Sequence, residues 1–148
     1  MTKDEYAAFA AAFAVEHREM RHLLQTVRNL LGPQHPWSPE AVEALIALQN
    51  HMRHHFSQEE EGGYLEEALA VAPRFSGQAN MLLKQHPELL ERVDHVVDLA
   101  RHSGGAPEAW EKLRQEAESL FSALVAHEGG ENQIVQQALN SGEETSDE

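Results

Sequence analysis

Apolar positions recur at spacings of three and four through most of this chain. The first stripe reads Phe9, Phe13, His17, Met20, Leu24, Val27 and Leu31, and the second Val42, Leu45, Leu48, Met52, His55 and Glu59. The third reads Phe75, Ala79, Leu82, His86, Leu89, Val93, Val96 and Ala100, and the fourth Ala117, Leu120, Leu124, His127, Glu131, Ile134 and Ala138. Such a stripe is the inward face of an amphipathic helix. The punctuation agrees. Thr2 and Glu5 have capping-box spacing, and Gly32-Pro33 stops the first helix. After the loop Gln34–Trp37, Ser38 is placed to cap a second helix, with Pro39 at its first position and Glu40 near its positive end. That helix reaches about Glu61, where Gly62-Gly63 weakens it, and Tyr64–Ala72 adds one or two turns before Pro73. Pro87 lies inside the third stripe and predicts a kink or restart beside His86. Ser103-Gly104-Gly105 ends the third helix, and Pro107 opens a fourth that lasts to about Asn140.

No segment reads as a strand. Four long amphipathic helices on short loops predict an all-α fold, an up-down-up-down four-helix bundle over residues 1–140. Residues 141–148 form an acidic polar tail that is expected to be disordered. The chain's 148 residues suffice for one domain with a real core.

The stripes are interrupted by groups that do not belong in a core. His55 and Glu59, and again His127 and Glu131, stand four residues apart. On a helix this puts both side chains on one face, roughly 6 Å apart. Glutamate is almost never fully buried without a partner, and an unpaired charge in a core costs several kcal/mol. Helical rise gives the depth of each group below the end holding the Gly32 and Gly104 loops. His17 falls about 22 Å down, His55 and His86 about 24 Å, and His127 about 30 Å. Glu59 and Glu131 lie one turn lower. One interior histidine from each helix therefore lands in nearly one layer.

For any one of these histidines, a satisfied core position is the ordinary explanation; four in one layer with two interior glutamates need another. His17, His55, His86, His127, Glu59 and Glu131 are too many ligands for one ordinary metal and suit two. With two histidines on each ion and both glutamates bridging, each ion has four protein donors. A bridging water or hydroxide adds a fifth and leaves a position open. Nitrogen and oxygen donors with open positions suit iron above all, with manganese as the alternative. The residual positive charge favours an anionic bridge and attracts small polar diatomics or peroxide. A bis-histidine haem would leave Glu59 and Glu131 unexplained. A ferritin-like site wants two Glu-x-x-His motifs, and the one present, Glu19 with His22, is off the stripe. His51, one turn before His55, has a flanking place; His54, His35, His95 and His102 read as solvated. Glu60 and Glu61 read as a solvated acidic face. Tyr64 is within reach of the cluster as a hydrogen-bond donor or packs plainly. Gly129-Gly130, costly in a helix, suggests close backbone approach or room for a ligand.

Composition narrows the remaining classes. A net charge of -14, from 25 acids against 11 bases, disfavours nucleic acid and anionic membrane as partners. The absence of cysteine excludes disulfides, thiolate zinc and cysteine-ligated iron–sulfur clusters, and fits a reducing cytoplasm. No run approaches the length of a membrane span. Tyr6–Val15 is apolar, but the acidic Thr2-Lys3-Asp4-Glu5 before it reads as a helix start rather than a targeting leader.

The motifs Glu16-His17-Arg18-Glu19-Met20, His54-His55-Phe56-Ser57-Gln58-Glu59-Glu60, Gln85-His86 and His127-Glu128-Gly129-Gly130-Glu131-Asn132 together resemble the hemerythrin-like HHE cation-binding family. The resemblance covers nearly all of the chain except the acidic tail. It implies a non-haem di-iron centre with an oxo or hydroxo bridge. It puts His17 and His55 on one iron, His86 and His127 on the other, and Glu59 and Glu131 between them. The oxygen-carrying branch has a second histidine one turn after the helix-three ligand; Leu90 stands there in this sequence. Four histidines and two glutamates look more like the branch associated with nitric-oxide handling and repair of iron centres, although the cysteine-bearing segment usual there is absent. The expectation is a di-iron protein that binds or reduces oxygen, nitric oxide or peroxide, whether or not it turns over. A non-catalytic metal-storage or interaction module is the alternative.

Overall fold

The structure is a computed structural model that describes the backbone of residues 2–61 and 64–146, with side chains for 2–61 and 65–140. Among the described residues five helices follow in order: α1 Lys3–Leu30, α2 Pro39–Glu60, α3 Tyr64–Val71, α4 Ser76–His102 and α5 Pro107–Ser146, with a 3-10 turn at Pro73–Phe75 before α4. No strand occurs among the described residues. The starts follow the sequence chemistry. The Thr2 side chain accepts from the Glu5 amide while the Glu5 carboxylate accepts from the Thr2 amide, and Ser38 caps α2 by accepting from the Ala41 amide. The α4–α5 turn needs positive φ at Gly104 (59°) and Gly105 (85°), which glycine adopts without strain.

Three boundaries differ from the sequence reading. α4 runs unbroken through Pro87, which removes one rung of the hydrogen-bond ladder without ending the helix. Tyr64–Val71 is a separate short helix rather than added turns of α2. α5 continues to Ser146, past the end expected near Asn140. The side chains of the acidic tail, the side chain of Tyr64, and Gly62-Gly63 lie outside the described residues.

The four long helices pack as a closed square, α1 on α2, α2 on α4, α4 on α5 and α5 on α1. This is the four-helix bundle that the four stripes predict. Its interior is two apolar blocks. The block toward the α1–α2 and α4–α5 loops is built on Met20, Leu24, Leu45, Met52, Val93, Leu113, Leu120 and Leu124. The other is built on Tyr6, Phe13, Leu82, Ile134 and Ala138, with α3 contributing Leu65, Ala68 and Ala72. α3 also packs on α5 and so closes the bundle below. Trp37 and Trp110 close the loop end, donating to the carbonyls of Ala100 and His35. No described helix is long and apolar enough to cross a membrane.

Candidate metal centre

The candidate residues form a polar layer between the two apolar blocks. His17 sits between Phe13 and Met20, His86 between Leu82 and Leu89, and His127 with Glu131 between Leu124 and Ile134. All six are at most 3% exposed. Their donor atoms fall into two groups. One is His17, His55, Glu59 and Glu131; the other is Glu59, His86, His127 and Glu131. Within each group the atoms lie within 4.8 Å of one another. The two glutamates are common to both groups.

Glu59 reaches both ways, with Oε1 2.6 Å from His55 Nε2 and Oε2 2.9 Å from His86 Nε2. Glu131 Oε1 lies 3.2 Å from His127 Nε2 and 3.9 Å from His17 Nε2. Despite these distances, all four carboxylate oxygens lack a partner in hydrogen-bond geometry. They converge with the histidine nitrogens without bonding to them. His86 Nε2 and His127 Nε2 also face each other at 3.2 Å. Two such lone pairs repel unless a proton or a cation lies near both.

The outer nitrogens explain why the rings are oriented this way. His55 Nδ1 donates to Glu16 of α1 (3.2 Å), His86 Nδ1 to Glu60 of α2 (3.1 Å) and His127 Nδ1 to Gln85 of α4 (2.8 Å). Carboxylate and amide oxygens only accept, so each of these rings carries a proton on Nδ1 and turns Nε2 inward. Asn132 of α5 interacts with His17, although neither His17 nitrogen has a partner in good hydrogen-bond geometry. The support runs in a ring, each helix steadying a histidine on the next. The supporting residue is always the chain neighbour of an inward group: Glu16 before His17, Gln85 before His86, Glu60 after Glu59, Asn132 after Glu131. Each four-residue group thus contains one histidine backed by a carboxylate and one beside an amide. Glu60 is exposed on an acidic face, as expected, with its side chain 51% accessible, and it also accepts from His86. Sequence reasoning missed that second role and gave none to Glu16 or Gln85. Their adjacency to the inward residues was the available signal.

Apolar rings line the layer. Phe56 stacks on His86 at 4.0 Å and meets His127 edge-on at 5.4 Å; Phe13 lies 4.2 Å from His17. His51 is half-buried and stacks on His55 at 6.3 Å, a flanking place. His54, His35, His95 and His102 are exposed, as their patterning implied. At Gly130 the backbone approaches α4 so closely that a Cβ would lie 2.9 Å from Leu82 Cδ2, whereas Gly129 has open space. A cavity of about 300 Å³ opens between α4 and α5, lined by Leu82, Gln85, Leu89, Ala123, Ala126 and His127. It ends on one of the inward rings.

Burial governs the charge states. It lowers His17 and His127 to about 4, helped by the positive fields of His55 and His86 respectively. Burial also opposes a charged His55, but the hydrogen bond to Glu16 and the close carboxylate of Glu59 prevail and hold it at about 9. Glu131 is pushed well above the carboxylate range by burial and then by Glu59 beside it. Burial works the same way on Glu59, but its contacts with Glu131, His55 and His86 outweigh that and hold it low. Without a cation, protons on His55 and Glu131 do part of the neutralising. The orphaned lone pairs and the nitrogen–oxygen donor set fit divalent or trivalent cations, and the two groups are each able to hold one.

Comparison with known proteins agrees with this geometry. No curated protein and no solved structure matches the chain. The hemerythrin HHE cation binding domain, however, matches residues 9–139, nearly the whole bundle and all six inward residues. The chain belongs to the hemerythrin HHE cation-binding domain family.

Proposed function

We propose that this chain holds two iron ions in its polar layer and uses them to bind or reduce a small oxidant: oxygen, nitric oxide or peroxide. His17 and His55 hold one ion, His86 and His127 the other, and Glu59 and Glu131 span both. The observation that carries the reading is the sharing of the two glutamates between both four-residue groups. A single cation would leave one group's lone pairs unanswered. When bound, a ferrous pair supplies open coordination positions and electrons to a small oxidant.

The chain's own residues do the rest. Glu16, Glu60 and Gln85 fix the Nδ1 protons and keep the inward nitrogens available. Phe13, Phe56 and the apolar blocks keep bulk water from the layer. The α4–α5 cavity has ample room for a small oxidant and reaches the His86–His127 side beside Gln85. No nucleic-acid or membrane role is included, because the net charge of -14 repels both polyanions.

The test is optical. Chelated protein is reloaded with ferrous iron without air, then exposed separately to oxygen, nitric oxide and peroxide. A new ligand-to-metal absorption band with at least one of them supports the reading. A spectrum that responds to none of the three, in protein holding two irons, refutes it and leaves a metal-storage or interaction module.

A further inference from the structure

The α4–α5 cavity is bounded by two ties between its helices. Toward the α4–α5 loop, Arg92 of α4 donates to the Ser119 hydroxyl of α5 at 2.6 Å. Away from the loop the helices touch, where a Cβ on Gly130 would lie 2.9 Å from Leu82 Cδ2. Between the ties, α5 gives the wall Ala123, Ala126 and His127. Alanine has nothing beyond its methyl group, so the gap stays unfilled. Gln85 of α4 reaches across it. Its Oε1 accepts from His127 Nδ1 at 2.8 Å, and this is the one hydrogen bond that anchors its carboxamide among the described residues. The inward edge of the same His127 ring, Nε2, belongs to the donor group with His86, Glu59 and Glu131. One side chain thus lines the cavity and orients an inward histidine. Its residue type is informative. Glu16 and Glu60, which accept from His55 and His86, are carboxylates. A carboxylate would serve His127 Nδ1 equally well. An amide holds the ring without putting a negative charge in the entrance, where the charges of Glu88 and Arg92 offset each other.

We propose that Gln85 is the positioning residue of the entrance: it holds His127, gates the α4–α5 cavity and, being neutral, admits small anions as readily as uncharged molecules to the His86–His127 side. The proposal rests on the two-metal reading above. A molecule entering the cavity meets the Gln85 carboxamide and displaces it. The His127 Nδ1 proton then loses its acceptor. Entry and the hold of His127 on its ion are therefore coupled through one hydrogen bond.

The experiment compares wild type, Q85A and Q85E, each stripped by chelator and reloaded anaerobically with ferrous iron-57. Iron per chain, affinity by chelator competition and Mössbauer spectra are read. Stopped flow follows nitric oxide binding to the ferrous protein and azide binding to the ferric protein. Q85A removes both the gate and the acceptor, so it should bind the two ligands several-fold faster while holding iron more weakly. A purely structural defect would not speed entry. One of its iron environments should change, and azide should shift that same one. Q85E keeps the acceptor and adds a charge. It should hold two irons as tightly as wild type, bind azide about 10-fold more slowly and bind nitric oxide at the wild-type rate. Two irons with unchanged ligand rates in both variants would overturn the role of Gln85 and leave the two-metal reading intact. Azide acting on the iron that Q85A leaves unaltered would also overturn it. Should Q85A lose its iron, Q85E decides alone, and equal effects on azide and nitric oxide refute the proposal. Wild type that fails to bind two irons, or binds neither ligand, would remove the reading on which the proposal rests.

Discussion

Raising the pH should weaken the metal-free protein and leave the metal-loaded protein largely unaffected. His55 carries the effect. Its ordinary value is 6.5 and in the fold it is held at about 9, so protonated His55 stabilises the fold. A raised histidine contributes stability that is complete below 6.5 and is lost as pH rises through about 9. The gap between those values is equivalent to about 3 kcal/mol. The other titrating groups do not oppose it in that window. Glu128, raised to about 7, and Glu131, also raised, are acids that keep their protons in the fold, so they too lose stability as pH rises. His17 and His127, lowered to about 4, contribute stability above 6.5 that is lost only as pH falls toward 4. Chelated protein taken from pH 6.5 to pH 9 should therefore lose about 3 kcal/mol in denaturant titration, or about 6–12 °C in thermal midpoint for a chain of this size. His55→Gln should flatten the curve. Loaded protein should not show the fall, because cations replace the protons and compete better at high pH. Chelated protein equally stable at both pH values, or a loaded sample showing the same loss, would refute the reasoning.

Metal uptake at pH 7.5 should release about two protons per chain, chiefly from His55 and Glu131, and an indicator dye in weak buffer would count them. Release of none would mean the layer is already deprotonated. Glu60→Ala and Gln85→Ala, each removing the acceptor for one Nδ1 proton, should lower metal affinity about 10- to 100-fold by chelator competition; unchanged affinity would show that ring orientation does not matter. Ala126→Phe should fill the α4–α5 cavity and slow azide binding to the ferric protein, measured by stopped flow, without altering iron content; an unchanged rate would place access elsewhere. Gly129→Ala should raise stability by about 1 kcal/mol, since its added methyl meets open space. Gly130→Ala should gain less, because its methyl must displace Leu82; urea midpoints in the reverse order would contradict this.

Much of this molecule was legible because a helix has a fixed rise and a fixed face. Counting from the loop glycines put His17, His55, His86 and His127 in one layer, and the side chains do converge there. The 3.6-residue period separated His55 and His127 from the exposed His54, His95 and His102. The same period concealed Glu60. One position beyond Glu59 is a rotation of about 100°, which points outward on its own helix. Only the neighbouring helix, presenting His86 Nδ1 at 3.1 Å, makes that carboxylate useful. The burial of Glu128 was hidden for a related reason. It belongs to the Phe121–Val135 stripe, buried by α1 rather than by the bundle axis, and a single inward stripe leaves no place for it. Pro87 did not bring the restart that it suggested. A proline costs a helix one rung, but packing of Leu82, His86, Leu89 and Val93 on both sides keeps α4 continuous through it.

The most direct test of the account is the number of irons per chain. Protein stripped by chelator, reloaded anaerobically with excess ferrous iron and desalted should contain two irons per chain by elemental analysis. Glu59→Leu with Glu131→Leu should reduce that number to near zero while leaving the chain helical. A wild-type value of zero or one, or two irons retained in the double variant, would contradict it.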